Sequence, residues 1–217
     1  KRAISTVEKN LVEGALIVIF VLVLFLGNLR AGLIVASAIP LSMLFALALM
    51  RIFGVSANLM SLGAIDFGLI VDGAVIIVEA SLYFLEHNKS TKRLTQLEMD
   101  VAVENSAKKM MSSAAFGQII IMIVYFPILS LVGIEGKMFG PMAITVSFAI
   151  IGAMILSLTY IPMMSALFLP KHISHKKTLS DKMMDFLYGK YKPLLEKVIA
   201  IKYKVVGLTV ALLLITV

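Results

Sequence analysis

Three acidic residues, Asp66, Asp72 and Glu79, interrupt a single apolar run of the sequence at positions where membrane helices ordinarily carry Leu or Val. On insertion scales an ionised carboxylate near a bilayer centre costs about 2.5–3.5 kcal/mol, so three uncompensated ones cost on the order of 10 kcal/mol. Intramembrane acids that are kept despite this cost are typical of proton relays and ion pathways. The residue types therefore predict a site that loads and releases protons within the membrane.

Helical spacing separates the three acids by depth and by face. In a helix over residues 59–85, Asp72 falls at the middle, Asp66 lies about 9 Å nearer one end and Glu79 about 10 Å nearer the other. Asp72 and Glu79 share a face, because seven residues return a helix to within about 20° of its starting direction, whereas Asp66 sits about 120° away. We predict that Asp72 is the principal proton carrier and that Asp66 and Glu79 flank it in a relay.

Small residues accompany the acids on the same run. Gly68 and Gly73 leave little bulk beside them, and membrane helices use small residues where backbones approach closely. We therefore predict that this helix is central in its bundle. Whether packing is the whole role of the two glycines is left open by the sequence.

The counter-charge to the acids is not provided within the apolar runs. The basic residues nearest to them, Arg30, Arg51, His87 and Lys137, all fall at the ends of runs or in connections. The acids are then protonated at rest, or opposed by a cation, or opposed by a base from another part of the protein. We favour the base.

Composition indicates that most of the chain lies in lipid. Hydrophobic residues make up 60% and charged residues 15%, against about one-quarter charged in soluble domains. A membrane-spanning helix needs about 20 apolar residues. We predict an all-α, polytopic membrane helical bundle over residues 11–169, whose five spans are 11–29, 31–53, 59–85, 110–132 and 139–169.

The segments outside this bundle are predicted to be shorter and more polar. Residues 1–10 form a polar lead-in from the periplasmic side, and residues 205–217 are the truncated start of a further span. Residues 170–204 form a cytoplasmic linker with an amphipathic helix on the membrane surface, where its apolar stripe and its lysines suit the interface. We expect the chain to be an internal fragment of a longer protein.

The formal net charge of +7 indicates topology rather than nucleic-acid binding. Basic residues crowd the connections after the third and fifth spans, which are therefore predicted to be cytoplasmic. These residues are Lys89, Lys92, Arg93, Lys108 and Lys109 in the first connection, and Lys171, Lys176, Lys177 and Lys182 in the second.

Two local features complete the predicted layout. Residues 90–109 are polar with apolar residues at helical intervals, which predicts a short amphipathic helix before the fourth span. Pro40, Pro127 and Pro162 lie within predicted spans, where each removes a backbone hydrogen bond and favours a kink.

We predict no metal site built by this chain alone. His172 and His175 have the spacing of metal ligands, but neighbouring lysines would repel a cation, and a solvated linker is the better interpretation. The chain has no cysteine and 14 methionines. Thioethers are able to bind monovalent copper, but methionine is also a common filler of helix contacts.

Several sequence strings resemble heavy-metal efflux pumps of the resistance-nodulation-division superfamily, and the resemblance covers essentially the whole chain. These strings are residues 6–15, 26–31, 39–43, DFGLIVDGA at 66–74 and GKMFGPMA at 136–143.

The resemblance implies a homotrimeric, proton-driven antiporter in the bacterial inner membrane, joined to a periplasmic adaptor and an outer-membrane channel. It implies that Asp72 is the coupling acid and that Asp66 and Glu79 are additional acids of the cobalt-zinc-cadmium branch. The copper and silver branch tends to have methionine where this chain has Ile70, and drug pumps tend to have a second acid where it has Gly73. The expected substrate is therefore a divalent cation, the expected coupling ion is the proton, and no bound cofactor is expected.

Other functions remain open on the sequence. A monovalent copper or silver exporter of the same superfamily is one, and a proton-coupled membrane protein that moves no metal is another. An intramembrane aspartyl protease fits poorly, because its two aspartates must converge on one water, whereas Asp66 and Asp72 lie on one helix and face apart. We therefore predict a transporter rather than an enzyme.

Overall fold

The computed structural model describes residues 2–55, 67–87, 94–171 and 179–216. Regular structure within these ranges is entirely helical, which confirms the all-α prediction. In chain order the helices are α1 (Arg2–Leu26), α2 (Leu29–Phe53), α3 (Phe67–His87), α4 (Gln96–Leu129), α5 (Gly133–Leu158), α6 (Tyr160–Phe168), α7 (Leu179–Ala200) and α8 (Lys202–Thr216).

Four of the described helices are long and apolar enough to cross a membrane. They are α2, residues Phe67–Leu85 of α3, α4 and α5. The apolar part of α1, Val12–Leu26, is shorter. Residues 59–66 of the predicted third span, Asp66 among them, lie outside the described residues.

The chain divides into two compact units, Lys1–His175 and Lys176–Val217. In the first unit α3 is central, as its small residues predicted, because it contacts α1, α2, α4, α5 and α6. The apolar core combines branched side chains with alanines that are almost completely buried. Core members include Ala31, Val35, Ala38, Ile70, Ala74, Ile77, Val78, Ala149, Ala153 and Ile161. Such small residues allow close approach of helix backbones in a membrane.

The link between α1 and α2 is a two-residue turn. Gly27 has a φ of 62°, a left-handed conformation that glycine adopts without steric cost. Asn28 caps α2, since its side-chain oxygen accepts hydrogen bonds from the backbone N–H groups of Arg30 and Ala31 at 3.0 and 3.4 Å. The chain therefore reverses direction between α1 and α2, and the two helices pack against each other.

Helix α4 corrects the prediction of a separate short helix over residues 90–109. The amphipathic segment and the fourth span form one continuous helix of 34 residues. Thr95 begins it with a capping box, in which Glu98 N–H donates to the Thr95 hydroxyl and Thr95 N–H donates to the Glu98 carboxylate. Residues 96–116 contain neither Gly nor Pro. Nothing in that stretch therefore stops the helix between its polar start and its apolar part.

The predicted fifth span, 139–169, is divided into two helices. Helix α5 begins earlier, at Gly133, and ends at Leu158, after which α6 begins at Tyr160. Pro162 explains the break, because it has no N–H to donate and its ring clashes with the carbonyl of Leu158. Pro40 and Pro127 lie inside α2 and α4, which are continuous through them.

The second unit contains α7 and α8. The amphipathic helix predicted to run to residue 204 ends at Ala200, and a turn at Ile201 separates it from α8. The sequence of α7 has apolar residues at helical intervals with polar residues between them. Every α7 side chain that is described is exposed within the chain. The predicted start of a further span, 205–217, falls on α8, which begins at Lys202.

Candidate functional site

Helix α3 has two different sides. One side is buried against its neighbours in the first unit and carries Ile70, Ala74, Ile77, Val78 and Ser81. The Ser81 hydroxyl is satisfied within the helix, because it donates to the carbonyl of Ile77 at 2.8 Å. The other side is exposed within the chain and carries both described acids of the sequence-predicted relay. The exposed residues are Gly68, Asp72, Glu79, Tyr83 and Phe84.

Asp72 and Glu79 lie on this exposed side, consistent with their seven-residue spacing. A rise of 1.5 Å per residue places their Cα atoms about 10 Å apart along the helix axis. Neither carboxylate forms an ion pair with a described residue; the ion pairs found in the described ranges are Lys9–Glu13 and Lys108–Glu104. The described helices therefore bring these acids to one face without supplying their counter-charge.

The two glycines of interest lie on opposite sides of α3. Gly68 is on the exposed side, near Asp72, whereas Gly73 is buried. A Cβ added to Gly73 would lie 2.7 Å from Nε2 of Gln118 and 3.1 Å from Oγ of Ser157. Real Cβ contacts are essentially never as short as 2.7 Å, and 3.1 Å is tighter than most. Glycine at 73 therefore permits the close approach of α3 to α4 and α5.

Gln118 is a polar residue that the sequence reasoning missed. It is the one amide in the apolar part of α4, and that interruption was the available signal. In the fold it is 1% exposed and lies against Gly73, the residue that follows Asp72 in the chain.

Metal-ligating side chains do not cluster in the described part of the chain. No group of three or more His, Cys, Asp or Glu residues is placed there to hold an ion. His172 and His175 lie outside the described residues. The arrangement that is present is a pair of carboxylates on an open helix face, which is able to exchange protons but does not enclose a cation.

The sequence profile of the AcrB/AcrD/AcrF family matches residues 1–217. The chain belongs to this family. It is 51% identical over 201 residues to the cobalt-zinc-cadmium resistance protein CzcA of Cupriavidus metallidurans, covering 92% of this chain and 19% of that protein. It is 43% identical over 210 residues to the nickel and cobalt resistance protein CnrA of the same organism, covering 96% and 19%. The chain thus spans about a fifth of the length of these curated relatives.

A solved structure agrees with this assignment. The chain resembles the crystal structure of a heavy metal efflux pump (crystal form II), with a TM-score of 0.73 and 36% identity over 96% of this chain and 18% of that one. The resemblance to heavy-metal efflux pumps of the resistance-nodulation-division superfamily is therefore confirmed. The solved structure is that of an efflux pump, which is consistent with the prediction of a transporter.

Proposed function

We propose that this chain is part of a proton-driven antiporter that exports divalent heavy-metal cations, and that Asp72 carries the coupling proton with Glu79 and Asp66 as flanking acids. The observation that carries the proposal is the exposed side of α3, where Asp72 and Glu79 stand in line on a helix of membrane-spanning length. Ionisable groups inside a membrane typically line a proton or ion path.

The packing of α3 supports a coupling role for these acids. The helix is fixed on its buried side by five neighbouring helices, so its acids are held on a rigid element. The bilayer strongly disfavours two ionised carboxylates that lack partners. A change of protonation at Asp72 is then a change of charge on the central helix, which is able to alter how that helix contacts the rest of the protein.

The proposed substrate class is zinc, cobalt and cadmium. Relatives named for resistance to cobalt, zinc, cadmium and nickel are similar over more than nine-tenths of this chain. Two residues agree with that class through the family resemblance, namely Ile70 in place of the methionine expected of copper and silver pumps, and Gly73 in place of the second acid expected of drug pumps.

The proposed assembly and location follow from the family. The full-length protein is a homotrimer in the bacterial inner membrane and works with a periplasmic adaptor and an outer-membrane channel. The apolar helices of this chain suit a multi-pass membrane protein, and its lipid partner is the bilayer itself.

The test is metal transport by the full-length pump reconstituted in vesicles with an imposed proton gradient. Asp72→Asn removes the titratable group while keeping its size, so zinc and cobalt transport and the accompanying proton flux should fall to the level of empty vesicles. Asp100→Asn is the matched control, since Asp100 is exposed in the polar part of α4 and its loss should leave transport unchanged. Trimer assembly should be normal in both variants, and unchanged transport in Asp72→Asn would exclude the coupling role.

A further inference from the structure

Gln118 is a buried amide with no hydrogen-bond partner among the described residues. Its side chain is 1% exposed, and neither Nε2 nor Oε1 is bonded. It lies in the apolar part of α4, a helix long enough to cross the membrane. The polar group is therefore removed both from bulk water and from other protein donors and acceptors.

A second orphaned group faces the same point. The Ser157 hydroxyl on α5 is buried and also lacks a partner. The position that a Gly73 Cβ would occupy is 2.7 Å from Gln118 Nε2 and 3.1 Å from Ser157 Oγ. Amide and hydroxyl thus converge beside the backbone of Gly73 from two different helices, yet they do not bond each other.

Leaving both groups unbonded is costly. Transfer of an amide or hydroxyl to an apolar environment is unfavourable unless a hydrogen bond compensates for the lost contacts with water. A buried water ordinarily relieves such a cost when two to four polar atoms surround it. Polar groups that converge on one point without bonding each other are a setting in which a water is able to bridge them.

We propose that Gln118 and Ser157 bind a water molecule beside Gly73, at the junction of α3, α4 and α5. The water accepts from the amide Nε2 or donates to Oε1, and exchanges a hydrogen bond with the Ser157 hydroxyl. Water suits this site better than a metal cation, because the converging amide and hydroxyl are neutral and no group of three or more His, Cys, Asp or Glu in the described residues could hold an ion.

The site has a consequence for Asp72 that rests on the proposed function. Gly73 follows Asp72 directly, so a hydrated contact at Gly73 fixes the rotational setting of the helix that presents the acid. Gln118 is in this sense a positioning residue. The water site itself does not depend on Asp72 carrying a proton.

The direct test uses the full-length protein in lipid bilayers, with glutamine labelled with nitrogen-15 for water-edited solid-state NMR. Magnetisation should pass from water to the Gln118 side-chain amide, whose signal is assigned by its loss in Gln118→Leu or, should that variant fail to fold, in Gln118→Met. A water density within hydrogen-bonding distance of Gln118 and Ser157 in a high-resolution electron cryomicroscopy map is the second readout. An amide signal as slow to receive magnetisation as core methyl groups would overturn the proposal.

Thermal unfolding of variants supplies an independent test. With a shared water, Gln118→Leu and Ser157→Ala should each lower the melting temperature, and the double variant should lose less than the two losses added together. Ser42→Ala, which removes another buried hydroxyl without a described partner, should combine additively with Gln118→Leu. A rise in melting temperature for Gln118→Leu would show that the amide forms no hydrogen bond to water, and would contradict the proposed water site. If Asp72→Asn transports normally while the water signal is present, only the proposed function fails.

Discussion

The chemistry at the residue scale depends on where α3 directs each side chain. Asp72 and Glu79 lie on the side of the helix that the described residues leave open, whereas the adjacent Gly73 lies on the packed side. Successive residues of an α-helix are rotated by 100° about its axis, so Asp72 and Gly73 point in different directions. These two acids of α3 therefore lie on its exposed side, while the backbone at Gly73 packs against α4 and α5.

Replacing Glu79 with Gln should slow metal transport without abolishing it. Glu79 lies two turns from Asp72, so its loss lengthens the proton path while the principal acid remains. The measurement is zinc uptake by vesicles containing the full-length pump, compared with Asp72→Asn and with the control Glu104→Gln, which changes an exposed acid outside the relay. A transport rate equal to that of the wild type would exclude Glu79 from the proton path. A rate equal to that of Asp72→Asn would show that Glu79 is as essential as Asp72.

The sequence predicted the positions of the acids on the helix but did not predict the contacts of Gln118. Charges in an apolar run stand out because their insertion cost is large, and a spacing of seven predicts a shared face without any knowledge of tertiary structure. A single amide in such a run does not reveal what it faces. Its convergence with Ser157 on Gly73 depends on how three helices pack, which local spacing does not determine.

At the element scale, apolar length predicted helices well and their breaks poorly. The positions of α2 and α3 follow from long apolar runs bounded by polar or glycine-containing links. The division between α5 and α6 was missed because the sequence around Thr159 contains neither a charged residue nor glycine, and Pro162 acts on a carbonyl four residues before it. The continuity of α4 was missed because the change from polar to apolar residues resembles a boundary.

Close packing of α2 against α5 gives a prediction about Gly152. A Cβ at this position would lie 2.6 Å from Cδ1 and 3.1 Å from Cβ of Phe45, so Gly152→Ala should destabilise the protein by about 1–3 kcal/mol, the usual cost of overpacking. Gly140→Ala on the same helix is the control, because nothing lies within 4 Å of its added Cβ. Thermal unfolding of the purified full-length protein should show a lower midpoint for Gly152→Ala only. Equal midpoints would contradict the tight contact.

At the scale of the whole first unit, the described residues that border the two lysine-rich connections lie together. Leu94 N–H donates to the carbonyl of Lys171 at 3.2 Å, and Gln96 Nε2 donates to the carbonyl of Ala166 at 3.0 Å. These bonds join the connection after α3 to the end of α6. The fold thus brings together the borders of two connections that charge alone had assigned to the same side of the membrane.

This arrangement predicts opposite membrane exposure for two single-cysteine variants of the full-length pump. Asp100 lies near the start of α4 and Glu135 just beyond its end, and a helix of 34 residues is about 50 Å long, enough to separate them across a bilayer. This chain contains no cysteine of its own; any elsewhere in the pump would first be replaced. On intact cells a membrane-impermeant thiol reagent should label Glu135→Cys and spare Asp100→Cys, because the basic connections hold the Asp100 end in the cytoplasm. Permeabilised cells should label both, which controls for reactivity. Labelling of Asp100→Cys alone on intact cells would reverse the orientation of α3, and with it the order in which Glu79 and Asp72 meet a proton entering from the periplasm.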